Sequence, residues 1–160
     1  MNEHLIAIEK RRDIRIKNLS LSSDPSHRIT GGIYARGSEN LVFERLHLSD
    51  FRWQGILLHT CKQVDLGHCQ LQDCSTERMG HWGGHIRSRY LKESQIHDNR
   101  IVGRTGGGYG YKASGHEAVR IHNNFIDIKS GFGNESAHEN EYGCEIDHNW
   151  NNRCYSIPKG

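Results

Sequence analysis

No stretch of this 160-residue chain comes near the ~18 consecutive apolar residues that a membrane-crossing helix needs. No window sustains the spacing of an amphipathic helix. Charge is nearly balanced, 21 Lys and Arg against 19 Asp and Glu for a net of +2. That excludes a strong field steering the chain to nucleic acid or to a membrane surface. The amino terminus lacks the basic start and apolar core of an export signal. No linker is long enough to divide the chain, so residues 1–160 are read as a single domain. The five cysteines form no clean disulfide framework. Cys69 and Cys144 fall at inward positions of the repeat described next, where a free thiol serves as a small hydrophobe. Cys61, Cys69 and Cys74 with His59 and His68 match no familiar zinc spacing, so no metal site and no cofactor are assigned.

What the chain does have is a period. Asn99, Asn124 and Asn149 fall 25 residues apart, each three residues after an isoleucine, Ile96, Ile121 and Ile146. Running the register backwards puts Cys69, Leu46 and Leu19 in the same column, at steps of 30, 23 and 27. One neighbouring column reads Ile16, Phe43, Leu66, Ile96, Ile121 and Ile146. Another reads Leu21, Leu48, Leu71, Ile101 and Ile126, and breaks at Asn151. A further one reads Ile6, Ile33, Ile56, Ile86 and Tyr111. A fixed period with apolar columns means one supersecondary unit laid down repeatedly.

Within each unit the apolar residues alternate, as in Ile14 and Ile16 or Val64 and Leu66, which is the signature of strands with one buried face. Two or three strands of about 3–5 residues per unit, joined by short polar corners, predict an all-β, single-stranded parallel β-helix of about six coils. The leucine-asparagine signature of leucine-rich repeats is missing, and a sandwich would not keep fixed columns. The asparagine column is expected to sit where the coil bends into the left-handed or bridge region, with its amides bonding from coil to coil. The chain opens directly on the strand His4–Ile8 and ends without a capping helix. Open coil ends must be covered, so the expectation is a fragment of a longer secreted or cell-surface protein, with end-to-end self-association as the alternative.

On the segments Ile96-His97-Asp98-Asn99-Arg100-Ile101, Ile121-His122-Asn123-Asn124-Phe125-Ile126 and Ile146-Asp147-His148-Asn149, the chain resembles the right-handed parallel β-helix superfamily that includes pectate lyase-like proteins. The resemblance covers roughly residues 4 to 151 and is specific for architecture. That superfamily holds polysaccharide lyases, glycoside hydrolases, uronate epimerases, tailspikes and adhesins, so activity has to be argued from the site.

Parity places the outward residues. On the first strand of each coil one outward column reads Ala7, Tyr34, Leu57, Arg87, Lys112 and Ala137, and its neighbour reads Glu9, Arg36, His59, Arg89, Ser114 and Glu139. Arg87, Arg89 and Lys112 are thereby expected to gather, flanked by Arg36, His59 and Glu139. Like charges stacked at ~4.8 Å repel unless an anion joins them, and a solvated surface is the bland alternative. The second strand pairs Arg120 with Glu145 and His122 with Asp147, as an ordinary surface does. Trp53, His81, Trp82 and Tyr109 lie at corners next to the strip, suited to stacking on sugar rings, although a tryptophan there serves equally as a plug of the core. In the polar last coil, strict register turns Ser136 and His138 inward, and His138, Glu139 and Glu141 become acid-base candidates or members of a bland polar network.

The chemistry this suggests is an enzyme acting on an acidic polysaccharide. Arg87 and Arg89 would neutralise a uronate carboxylate, and Lys112, with His138 second, would remove the adjacent ring proton, giving a lyase or an epimerase. Hydrolysis needs a carboxyl pair, for which Glu135, Glu139 and Glu141 are poorly placed. Calcium-bridged chemistry needs an acidic cluster that the strip does not offer. The alternative is a non-catalytic glycan-binding or structural segment.

Overall fold

The computed structural model describes residues 3–76, 84–103, 109–128, 134–137, 145–147 and 150–151. The first coil holds β1 (His4–Glu9), β2 (Arg12–Lys17) and β3 (Ser20–Ser22), and the second β4 (Gly31–Arg36), β5 (Glu39–Glu44) and β6 (His47–Ser49). The third holds β7 (Gln54–His59), β8 (Lys62–Gly67) and β9 (Gln70–Gln72). The fourth holds β10 (Gly84–Arg89), β11 (Lys92–His97) and β12 (Arg100–Gly103), the fifth β13 (Tyr109–Ser114), β14 (Glu117–His122) and β15 (Phe125–Ile128). The last described strands are β16 (Asn134–Ala137), β17 (Glu145–Asp147) and β18 (Trp150–Asn151). Each coil contributes one strand to each of three parallel sheets, ordered β1-β4-β7-β10-β13-β16, β2-β5-β8-β11-β14-β17 and β3-β6-β9-β12-β15-β18. The chain is a parallel β-solenoid, and no helix occurs among the described residues.

The columns read from the period are register partners in space: Ile33 with Ile56, Ile56 with Ile86, Ile86 with Tyr111, and Leu66 with Ile96 and Ile96 with Ile121. They fill one continuous core with Phe43, Phe51 and Leu58. Strands of the first two sheets run to six residues, longer than the alternation alone suggested.

Left-handed residues make the corners. One set, Lys10, Gly37, Thr60, Tyr90 and Gly115, turns the first strand into the second; another, Asn18, Arg45, His68, Asp98 and Asn123, turns the second into the third. A third, Asp13, Asn40, Gln63, Glu93 and Ala118, kinks the second strand near its start. This corrects one expectation by a single position: the residue with positive φ is Asp98 or Asn123, not the column asparagine after it. Asn99 and Asn124 are instead buried in the lumen. The Asn99 side-chain carbonyl accepts the N–H of Cys69 at 2.9 Å, and Asn124 accepts the N–H of Asn99 at 3.0 Å. Their amides donate to Leu66 O and Ile96 O, and Asn99 also donates to Asn124. The coil-to-coil bonding that the sequence suggested is therefore present.

The same device recurs at the other two sets of left-handed residues just named. After Lys10, Gln63 and Tyr90, the N–H of the next residue is accepted by a side chain one coil on. Ser38 Oγ serves Arg11, Ser94 Oγ serves Val64 and His116 Nδ1 serves Leu91. Buried backbone groups must be paired, and this is how a solenoid of tight corners pairs them.

The last coil departs from the expected register by two residues. Lys112 pairs with Glu135 rather than Ala137, and Ser114 with Ala137 rather than Glu139. A shift of two preserves parity, and Ser136 is the register partner of Ala113. Residues 131–143 carry few apolar side chains, Phe132, Ala137 and Tyr142, and these keep no alternation that would pin that step.

Candidate functional site

Parallel pairing on the first sheet sets Tyr34, Leu57 and Arg87 in one row and Arg36, His59 and Arg89 in the next. With strands ~4.8 Å apart, the two rows make a grid roughly 10 Å across three coils. A cleft of about 340 Å³ opens over this grid, lined by His4, Tyr34, Arg36, Leu57, His59, Arg87 and Arg89. No carboxylate lines it among the described residues. The second sheet shows the contrast, with cross-coil ion pairs Arg12–Glu39, Lys17–Glu44, Lys62–Glu93 and Lys92–Glu117.

His59 sits at the centre of the grid. Burial, and then the positive charges of Arg89, Arg36 and Arg87, pull its pKa below the ordinary imidazole value. That shift favours the neutral form of the ring, a base among cations. Arg87 is 5% exposed although it stands on an outward column and lines the cleft. Behind it Ser88 faces the lumen, 2.6 Å from Tyr111 Oη and 2.9 Å from His116 Nε2. Those bonds fix the strand that carries Arg87 and Arg89.

Two aromatic contacts frame the cleft. The His4 and Tyr34 rings lie 5.3 Å apart at one end. At the other the Tyr90 ring stands edge-on to His59 at 5.8 Å, with the Arg89 guanidinium 5.3 Å above it. Tyr90 is 47% exposed, beside the cleft rather than among the residues that line it. Sequence reasoning missed both His4 and Tyr90. The available signal was glycine: a Cβ at Gly31 would stand 2.5 Å from the His4 ring, and one at Gly115 2.5 Å from the Tyr90 ring.

The other expected residues divide clearly. Lys112 is the register partner of Arg87, one coil on, and does not line the cleft. Trp53 lies at its coil corner beside Arg52, whose guanidinium is 5.5 Å from the indole, and it does not line the cleft either. Tyr109 opens β13, whereas His81, Trp82, His138, Glu139 and Glu141 lie outside the described residues.

Residues 4–157 match the family described as right handed beta helix region. The chain belongs to that family. No curated protein matches the sequence. Among solved structures, a proposed glycosyl hydrolase from Parabacteroides merdae ATCC 43184 superposes with a TM-score of 0.70 at 13% identity, over 92% of this chain and 78% of that one. The periplasmic alginate epimerase AlgG superposes with a TM-score of 0.59 at 10% identity, over 94% of this chain. This right-handed β-helix spans 40% of the epimerase's length. At such identities the likeness is one of fold alone.

Proposed function

We propose that this β-helix acts on an acidic polysaccharide, abstracting the proton next to a uronate carboxylate, in the manner of a lyase or an epimerase. The observation that carries the reading is the His59 imidazole, its pKa lowered by burial and by the guanidinium charges, set among Arg36, Arg87 and Arg89 in a cleft with no described acidic lining. A carboxylate is the natural guest of that ring, because arginine binds it through two parallel hydrogen bonds. Its charge is then offset, so the adjacent C–H becomes more acidic and the enolate formed on proton loss is stabilised. His59 takes that proton as base. This replaces Lys112 in the role the sequence gave it, since Lys112 stands outside the cleft. Tyr34 and Tyr90 offer rings for the sugar's apolar face.

Elimination expels the glycosidic oxygen and leaves an unsaturated sugar, whereas epimerisation returns a proton to the opposite face. Both are read in one experiment: the protein is incubated with a panel of uronate polymers in deuterated water. Absorbance of the unsaturated product reports the lyase, and deuterium retained at the sugar carbon reports the epimerase. The expected result is one of these signals, lost in His59→Ala with the melting curve unchanged. Polymer binding without either signal would favour a glycan-binding segment and overturn the catalytic reading. The two structural neighbours, a proposed glycosyl hydrolase and an alginate epimerase, support a saccharide as the substrate class. A secreted or cell-surface setting goes with such a polymer.

A further inference from the structure

A second cluster lies on another face, at the corner between the second and third sheets. We propose that His68, His97 and Asp98 form a site for a divalent transition metal such as Zn²⁺ or Co²⁺. One ligand atom from each of the three lies within 4.8 Å of the others. A tetrahedral ion with bonds of about 2.1 Å holds its ligands roughly 3.4 Å apart, so small side-chain rotations close the site.

Coil stacking creates the cluster. His68 follows Gly67, the register partner of His97, and His68 and Asp98 occupy equivalent left-handed corners with φ of 56° and 52°. The His68 and His97 rings stand 5.4 Å apart and nearly perpendicular, and the His122 ring stacks on His97 at 5.4 Å. The ring of His97 lies directly on the backbone of the preceding coil. A Cβ at position 67 would be 2.5 Å from its Cε1 and 2.7 Å from its Nε2, so only glycine gives it this seat. A hollow of about 230 Å³ lined by Glu44, Asp65, His68 and His97, among others, adjoins the cluster.

The hydrogen bonds already have the form of a metal site's outer support. His97 Nε2 is 2.9 Å from Asp65 Oδ1, and Nδ1 is 2.7 Å from Asp98 Oδ2. An ion bound at Nδ1 replaces the proton shared with Asp98, while Nε2 keeps its N–H for Asp65. That carboxylate–imidazole–metal relay orients the ring and raises its basicity. Two imidazoles and one carboxylate select borderline ions over Ca²⁺ or Mg²⁺, and leave a fourth position to water. Bound there, the ion ties the third coil to the fourth. The inference stands apart from the polysaccharide reading, since no residue is shared with the cleft.

The test is a titration of the whole chain with Co²⁺, followed by the visible absorption of the ion, with Zn²⁺ added afterwards as competitor. One equivalent is expected, displaced by Zn²⁺, and raising the melting temperature. His68→Asn and Asp98→Asn, chosen because asparagine tolerates the left-handed corner, should each weaken binding at least ~10-fold. Asp65→Asn should weaken it about 10–100-fold without changing stoichiometry. No binding overturns the proposal. So does binding unchanged in both ligand variants, or a thiolate charge-transfer band, which would place the ion on cysteine.

Discussion

His116 Nδ1 accepts the backbone N–H of Leu91, 25 residues earlier and one coil back, at 3.2 Å. That bond fixes the tautomer: the proton sits on Nε2, which donates to Ser88 Oγ at 2.9 Å. Burial with no compensating charge lowers the His116 pKa to about 4. In the unfolded chain the imidazole titrates near 6.5. Between those values the unfolded state binds more protons, so this contribution is complete above pH ~6.5 and is lost as pH falls towards 4, by about 3 kcal/mol. Urea midpoints at pH 7 and 4.5 check it. His116→Asn, which keeps an acceptor for Leu91, should flatten the acid-side slope. An identical slope in that variant would refute the assignment.

The asparagine ladder makes a second prediction. Asn124 satisfies both the backbone and side-chain N–H of Asn99 and donates to Ile96 O. Removing it leaves buried donors without acceptors, each costing about 1–3 kcal/mol. Asn124→Ala should therefore destabilise by about 2–4 kcal/mol, whereas Asn18→Ala, at an exposed corner, should cost about 1 kcal/mol from its left-handed backbone. Chemical denaturation of the two variants decides. Equal losses would mean that the ladder is not what holds the corner.

These two cases show what could be read in advance and what could not. Apolar columns such as Ile33–Ile56–Ile86 repeat in every coil, and one slip would turn them all to solvent, so parity and fold were legible. Because parity was right, the Arg36–His59–Arg89 row was legible too. The left-handed residue was misplaced by one because Asp98 and Asn99 are both plausible there by residue type. The two-residue step at Lys112 and Glu135 was invisible because the few apolar residues of that coil, Phe132, Ala137 and Tyr142, do not alternate. Tyr90, His4 and the His97 seat were missed for a common reason: each depends on a glycine about 25–30 residues away in sequence, and a glycine's meaning appears only when the coils are stacked.

The thiols test the core. Cys61, Cys69 and Cys74 are buried and free, with sulfurs bonded to backbone carbonyls such as Leu48 O for Cys74 at 3.1 Å. Burial raises all three pKa values, that of Cys69 to about 11. Thiolate is the reactive form, so alkylation of these three in the native protein should run at least ~100-fold slower than in denaturant. Mass spectrometry of the labelled peptides resolves each position. Fast native labelling of Cys69 would contradict its place in the lumen.

The last prediction concerns His59 as base. A base works only when unprotonated, so kcat/KM should fall on the acid side with the titration of the free enzyme's imidazole. Burial and the arginines place that pKa below the usual value. The acid limb should therefore lie under pH ~6.5. Arg36→Gln removes one of the cations while leaving the other two in place, so the limb should move upward, towards the ordinary imidazole value. The bound substrate carboxylate acts in the same direction, because it offsets the guanidinium charge. The limb of kcat should thus lie above that of kcat/KM. A limb that stays fixed in Arg36→Gln, or that survives in His59→Gln, would assign the proton transfer to another group.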